Sequence, residues 1–232
     1  MNNITEYIPD MMRIELLPSY AGDTQKRIAD INDMIFDIQK DRMRDKAVNT
    51  LKLAAEQMKI HGMSGLKSSI GRISYARMLD KSETADREAE RLSDSLSGYY
   101  IGLCKETVML DTLCRLLGDC IKELERATEA LERHIETLIS DREQKHYALL
   151  AQKKVSELML SKNIAMNAIV MIKDMSLQDS TLSEHINSLK VNTLVLWRAA
   201  VSALRAAPDK DKMENICSIE DVISAAISSI IK

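Results

Sequence analysis

The sequence has little glycine, little proline and few aromatic residues. Its 232 residues include 7 Gly, 3 Pro, one Phe and one Trp, with no proline between Pro18 and Pro208. β-Sandwiches and barrels need turns rich in Gly and Pro and strands rich in aromatic residues, so these folds are disfavoured. Leu, Ile, Ala and Met, combined with 29% charged residues, are typical of long amphipathic helices. The sequence therefore predicts an all-α fold.

The chain also lacks a strong excess of charge of either sign. Thirty-two basic and thirty-five acidic residues give a net charge of −3, which disfavours a nucleic-acid partner. The first residues show no basic segment followed by an apolar stretch, and no eighteen apolar residues run together. Four irregularly spaced cysteines do not form a disulfide framework and fit a reducing compartment. These features predict a cytoplasmic protein.

Four regions are expected along the chain. Residues 1–22 form an irregular lead-in, and Asp23 is the predicted N-cap of a helical region, 23–80. Its first part is expected to be one helix, or two helices with a bend near Arg42. Its least regular part, 66–79, follows Gly62 and Gly65. Two more regions follow. The third is a long-helix bundle at 81–207, and the fourth is a linker with a C-terminal docking helix at 208–232.

The strongest pattern is a seven-residue repeat of leucine, at positions 96, 103, 110, 117, 124, 131 and 138. Such a repeat keeps one seam facing a partner helix, so it predicts one continuous helix in an elongated, antiparallel, coiled-coil-like bundle with long central helices. The partner helix is expected within the same chain, with an intermolecular zipper, and hence a homo-oligomer, left open. Gly98, Gly102 and Gly118 lower helix propensity and predict a bend or a close helix crossing.

Helix boundaries in the second half are predicted from polar residues. Ser140 and Asp141 mark a turn or a polar patch, and the polar run 176–181 is expected to end a helix. Thr181 and Glu184 have the spacing of a capping box, which predicts a new helix start. The terminal helix is expected to begin at Ser218, after a charged linker that starts at Pro208.

No motif for catalysis, cofactors or metals is found. Cys114 and Cys120 lie on different helix faces, and neither a CxxC nor an HExxH motif occurs. No glycine-rich phosphate-binding loop is present either. On an apolar seam the pKa of Cys120 is expected to be raised and its thiol unreactive. The sequence predicts a non-enzyme with no catalytic, cofactor or metal residues.

Two segments resemble the C-terminal signature of the TelA family of toxic-anion (tellurite) resistance proteins. The first is VSELMLSKNIAMN at 155–167, and the second is SEHINSLKVNTLVLWR at 183–198. The chain departs from the family pattern at Val195, where the family has proline. The residues that match the signature are Leu158, Leu160, Lys162, Asn167, Asn192, Thr193, Trp197 and Arg198.

This resemblance implies a cytoplasmic, all-helical protein linked to tellurite resistance and the stress response. We expect a scaffold or adaptor that binds partner proteins, with Trp197 anchoring its helix to the bundle. Lys162, Lys173, Lys190 and Arg198 could instead form a basic strip for an oxyanion. Two alternatives are a thiol-dependent oxyanion detoxifier that uses Cys104, Cys114 or Cys120, and a membrane-associating protein. Membrane contact is not favoured, because the Ile-rich stripe at 216–231 lacks basic and aromatic anchors.

Overall fold

The computed structural model describes residues 16–61, 75–139 and 145–231, and all regular structure in these ranges is helical. The predicted all-α helical bundle is therefore confirmed. Six α-helices occur within these ranges, and a π-helical turn, Leu189–Thr193, joins the fourth to the fifth. Their bounds are Gly22–Lys40 (α1), Met43–His61 (α2), Tyr75–Ile139 (α3), Lys145–Ser188 (α4), Leu194–Ala206 (α5) and Lys210–Ile231 (α6).

The chain forms two compact units, and each unit is built from two separate stretches of sequence. Unit 1 takes residues up to Lys40 together with Val108–Ser176, and unit 2 takes Asp41–Thr107 together with Leu177–Lys232. The long helices α3 and α4 each contribute one segment to each unit. The contiguous ranges expected from composition, 1–22, 23–80, 81–207 and 208–232, do not coincide with these units.

Unit 1 packs α1 against segments of α3 and α4. The α1 helix runs antiparallel to α3, because the Tyr20 hydroxyl donates to the Ala127 carbonyl and Arg27 pairs with Glu123 four residues earlier in α3. Side-chain hydrogen bonds also tie α1 to α4. Its core is mostly aliphatic and includes Ile28, Ile31, Ile35, Leu110, Leu117, Leu124, Leu158 and Ile172.

The leucine repeat lies along the buried seam of α3. Leu96, Leu103, Leu110, Leu117, Leu124 and Leu131 have no exposed surface, and the side chain of Leu138 lies outside the described residues. The single helix predicted over the repeat is confirmed, and it begins earlier than expected, at Tyr75. Seven-residue steps back from Leu96 reach Ala89 and Ser82, both fully buried. Within unit 2 the seam thus continues from Leu103 and Leu96 to smaller side chains near the start of α3.

Unit 2 surrounds its part of α3 with α2, α5, α6 and the end of α4. Small buried residues let these helices approach closely, among them Ala47 and Ala85. At Gly102 a Cβ atom would lie 2.8 Å from the Met43 side chain, so the close crossing predicted from the glycines is confirmed there. Gly98 and Gly118 have open space around them and mark no crossing.

The predicted helix break at 176–181 is wrong, because α4 continues unbroken to Ser188. The Thr181 hydroxyl donates to the Leu177 carbonyl inside the helix, instead of capping a new start. Asp179, in the middle of the same run, is fully buried against a charged partner described below. Tertiary contacts, rather than a helix end, therefore account for the polar run.

Two other predicted helix starts are displaced. The terminal helix begins at Lys210, not at Ser218, because the Asp209 side chain accepts the Lys212 backbone N–H at 2.8 Å as an N-cap. Asp23 lies within the first turn of α1, which begins at Gly22. Of the two alternatives for this region, two helices are present: α1 ends at Lys40 and α2 begins at Met43, on either side of Arg42. The expected turn at Ser140 and Asp141, and most of the element at 66–79, lie outside the described residues.

Candidate functional site

The π-helical turn sits within the second segment of the TelA-like signature. The backbone N–H of Leu194 bonds to the carbonyl of Leu189, five residues earlier, so the turn holds one residue more than an α-helical turn. Leu189 and Leu194, at its two ends, are both buried. The residues between them are pushed outward. π-Helical turns are frequent at functional sites, which makes this position a candidate.

Apolar side chains are exposed on and just after this turn. Val191, Val195 and Leu196 are 55%, 58% and 61% exposed, and Asn192 lies exposed beside them. The Asn192 amide donates weakly to the Ser188 hydroxyl at 3.4 Å. We call Val191, Asn192, Val195 and Leu196 the π-turn surface. It offers an apolar contact area with one polar group able to give direction to a partner.

The buried residue beneath this surface is Trp197. Its ring is 1% exposed and belongs to the core of unit 2 together with Leu204 and Ile216, so the predicted anchoring role is confirmed. Arg198, the next residue, pairs with Asp86 at 3.5 Å and Glu90 at 4.0 Å. Both contacts tie α5 to α3. The π-turn surface therefore lies on packed helices, whose buried residues Leu189, Leu194 and Trp197 belong to the core of unit 2.

The first signature segment lies in the other unit. Leu158 is fully buried in the core of unit 1, whereas Leu160 is 62% exposed and Asn167 is exposed. Lys162 pairs with Glu125 of α3 at 2.7 Å. The signature residues thus fall into three groups: the buried Leu158 and Trp197, the ion-paired Lys162 and Arg198, and the exposed Leu160, Asn167 and Asn192. Thr193, in the π turn, is half-buried.

The basic strip expected for an oxyanion is not supported by these contacts. Lys162 is bound to Glu125, and Arg198 is bound to Asp86 and Glu90. Lys162 and Lys173 belong to unit 1, and Lys190 and Arg198 belong to unit 2. An anion would have to displace carboxylates that already compensate two of the four positive charges.

A buried charged cluster in unit 2 was missed from the sequence. Arg42, between α1 and α2, donates to Asp179 of α4 at 2.6 Å and to Gln178 at 3.0 Å. The Glu106 carboxylate of α3 lies 3.7 Å from the Arg42 Nε atom and accepts the backbone N–H of Met43 at 3.0 Å. Three distant stretches of sequence are joined by these four polar side chains.

Asp179 is the most perturbed acid among these groups. Its pKa is raised to about 6, mainly because the carboxyl group is buried; Arg42 lowers the pKa and the nearby Glu106 carboxylate raises it, and both contributions are included in that value. Asp179 has no exposed surface, and Arg42 and Glu106 side chains are about one-tenth exposed. The geometry of the cluster is that of a structural ion network with one proton-sensitive member.

The cysteines do not form a reactive pair. All four are free thiols; Cys120 and Cys217 are buried, Cys114 is half-buried and Cys104 is exposed. Burial raises the pKa of Cys120, as expected from its place on the seam. Within the described ranges no group of three or more His, Cys, Asp or Glu side chains could hold a metal ion.

Comparisons with known proteins add no relative: no family model, curated protein or solved structure matches this chain. The helical stretch Lys145–Ala206 is long and apolar enough to cross a membrane by length and composition alone, and 28% of its most apolar window is buried. The buried helices of soluble proteins pass the same test, so this composition leaves the protein's environment open.

Proposed function

We propose that the chain is a non-enzymatic helical scaffold or adaptor of the TelA type, acting in tolerance of tellurite and related stress through protein contacts. The observation that carries the proposal is the π-turn surface, where Val191, Val195 and Leu196 are exposed within the signature segment. Exposed apolar groups that sit on packed helices favour a protein partner. The chain would act in the cytoplasm, as its sequence predicts.

Two features support a binding role over a catalytic one. The ionised groups near the signature, Lys162 and Arg198, are occupied by carboxylates. The strongly perturbed acid, Asp179, is fully buried and tied to Arg42, out of reach of a substrate. A thiol-dependent route is supported less, because the buried Cys120 has a raised pKa.

A matched pair of substitutions tests the proposal. Val195 on the π-turn surface and Val222 on α6 are 58% and 59% exposed in the same unit, so glutamate at either site should leave the fold intact. We expect Val195→Glu to lower capture of partner proteins from the native cell and to lower tellurite tolerance. Val222→Glu should retain both.

The measurements are quantitative mass spectrometry of captured proteins and growth of complemented cells at graded tellurite concentrations. Equal partner capture and equal tolerance for the two variants would remove the π-turn surface from the function. Turnover of a substrate by the purified protein, with normal tolerance in Val195→Glu cells, would replace the adaptor with an enzyme.

A further inference from the structure

In unit 1, helix α4 is apolar on two opposite faces. Its inner face packs Leu158, Ala165 and Ile172 into the core with at most 1% exposure. The opposite side is also apolar, with exposures from 37% to 68%. We call this second set the outward face of α4; it consists of Met159, Leu160, Ile164, Met166, Val170 and Met171. Exposed apolar side chains gathered on the side of a helix away from its core indicate a surface that another molecule can cover.

The neighbouring helix of the same unit shows the usual arrangement. After Val108 and Met109, which are exposed at the start of its part of α3, the outer positions are mostly charged, and the exposed residues there include Arg115, Lys122, Arg126, Glu129 and Glu132. Helix α1 exposes Met34 and Phe36, so α4 carries the largest set of exposed apolar side chains among the described helices of this unit. Contiguous exposed apolar surface of this kind marks an interaction site.

The chemistry of the face favours protein over lipid. Asn163 and Asn167 stand exposed in its middle, where a lipid-facing helix would carry apolar side chains. Aromatic anchors do not occur between Lys153 and Asp174, and the flanks carry mixed charge rather than a basic border. Met159, Met166 and Met171 have flexible thioether side chains that adapt well to another protein surface.

The spacing of polar residues matches a second copy of the same helix. On the outward side of α4, exposed residues recur every seven positions, which is the repeat of a helix–helix seam. They are one leucine and three polar residues: Lys153, Leu160, Asn167 and Asp174. Lys153 and Asp174 lie at equal distances on either side of the Asn163–Ile164 peptide bond. An antiparallel copy related by a two-fold axis at that bond would place each Lys153 against the other copy's Asp174.

The alternative orientation is unfavourable. Two parallel copies would bring Lys153 against Lys153 and Asp174 against Asp174, and like charges at a helix interface repel. In an antiparallel pair the amides of Asn163 and Asn167 can donate to and accept from the other copy, since each amide carries both functions. A two-fold axis makes all these contacts twice from one surface.

We propose that the chain forms an antiparallel two-fold homodimer through the outward face of α4. This dimer uses unit 1, whereas the adaptor function proposed above uses the π-turn surface of unit 2. Each copy contributes only one helix face to this dimer. The interface is therefore small, close to the lower limit of about 1,200 Å² of total buried surface for specific protein interfaces. The dimer is accordingly reversible and depends on concentration.

The first test compares two exposed valines of unit 1. Val170 on the outward face is 68% exposed, and Val108 on α3 is 66% exposed, so glutamate at either site changes surface and charge equally. Light scattering and sedimentation of the full chain should show a dimer that dissociates on dilution. Val170→Glu should raise its dissociation constant about tenfold or more, and Val108→Glu should leave it unchanged.

The second test fixes the orientation by exchange of charges. Lys153→Asp or Asp174→Lys alone should weaken the dimer, and the double variant should recover it because opposite charges meet again. Failure of the double variant to recover the dimer, with helical circular dichroism unchanged, would reject the antiparallel arrangement.

Three results would overturn the dimer itself. These are a wild-type monomer at every concentration, a dimer equally stable in Val170→Glu and wild type, and a monomer that floats with phosphatidylglycerol vesicles unless Val170 is replaced. None of these results would change the amounts of partner protein that Val195→Glu and Val222→Glu are expected to capture. The two proposals can therefore fail separately.

Discussion

The two units use the same helix, α3, in different ways. In unit 1 its seam carries large side chains, such as Leu117 and Leu124, and the core is mostly aliphatic. In unit 2 the seam carries Leu96 and Leu103 and then, toward the start of the helix, the smaller Ser82, Ala85 and Ala89; the core includes Trp197 and the enclosed ions of Arg42 and Asp179. Where the seam carries leucines throughout, α3 packs with α1 and α4. Where small residues replace them, the core also takes in a large aromatic ring and side chains from more helices.

The largest difference between the units should appear when an arginine is removed from each. Arg42→Met leaves Asp179 and Glu106 enclosed without their cation, and loss of one partner from a buried pair costs about 3–5 kcal/mol. Arg27→Met breaks a pair with Glu123 whose side chains are 44% and 41% exposed, worth about 1 kcal/mol or less. Urea unfolding followed by circular dichroism measures both. Equal losses of unfolding free energy would mean that the two units do not differ in this respect.

The tryptophan of unit 2 should be nearly as important. Trp197→Ala empties the largest buried side chain of the protein and should lower the unfolding free energy by about 3–5 kcal/mol. Trp197→Phe keeps most of the apolar area and removes an indole N–H that makes no hydrogen bond to described residues, so it should cost less. Thermal unfolding by circular dichroism compares the two variants. A similar loss for both would show that the ring's size does not determine the packing.

The stability of unit 2 should depend on pH through Asp179. Its pKa is about 6 in the folded protein and about 3.9 in an unfolded chain, so between these values the folded state binds more protons. The unfolding free energy should therefore fall as pH rises through this window, by on the order of 2 kcal/mol, and level off above it. Asp179→Asn should lack this fall. Urea unfolding of both proteins at several pH values measures this dependence. If the unfolding free energy of Asp179→Asn changed with pH in the same way as that of the wild type, a group other than Asp179 would bind the proton.

The smallest effects should come from glycines in α3. Gly118 in unit 1 has open space around its Cα, so Gly118→Ala should raise the unfolding free energy by up to about 1 kcal/mol through helix propensity. Gly102→Ala in unit 2 should gain less or lose stability, because Met43 must move. Melting temperatures measured side by side distinguish them. An equal rise for both would show that the crossing at Gly102 tolerates a methyl group.

Periodicity predicted the fold better than local polar signals did. The leucines of α3 are buried as expected, because a seven-residue repeat has only one way to face a neighbour. The polar run at 176–181 predicts a break, but two of its members, Gln178 and Asp179, bond to Arg42, more than 130 residues away in sequence. No local rule detects such a partner. The N-cap at Asp209 was within reach of sequence reasoning, since the acid directly precedes the helix that it caps.

The candidate site was predicted in part. Trp197 was correctly expected to be buried, because a single large ring in a chain poor in aromatics has few other roles. The cluster of Arg42, Glu106 and Asp179 was missed, since its members come from three separate stretches. One signal was available: Glu106 lies seven residues after Tyr99 and seven before Leu113, at a seam position where a charge needs a partner. The π turn was missed as well, although the five-residue step from Leu189 to Leu194 interrupts the three- and four-residue spacing of an α-helix.

The five-residue turn at Leu189–Thr193 also resolves a mismatch of phase. Upstream, Leu182, Ile186 and Leu189 follow ordinary α-helical intervals, and downstream Leu194, Trp197 and Val201 do the same. The step between the two series is five residues, which would rotate the second stripe away from the first on an uninterrupted α-helix. The wider turn absorbs the extra residue, so both stripes stay aligned on one side and Trp197 reaches the interior.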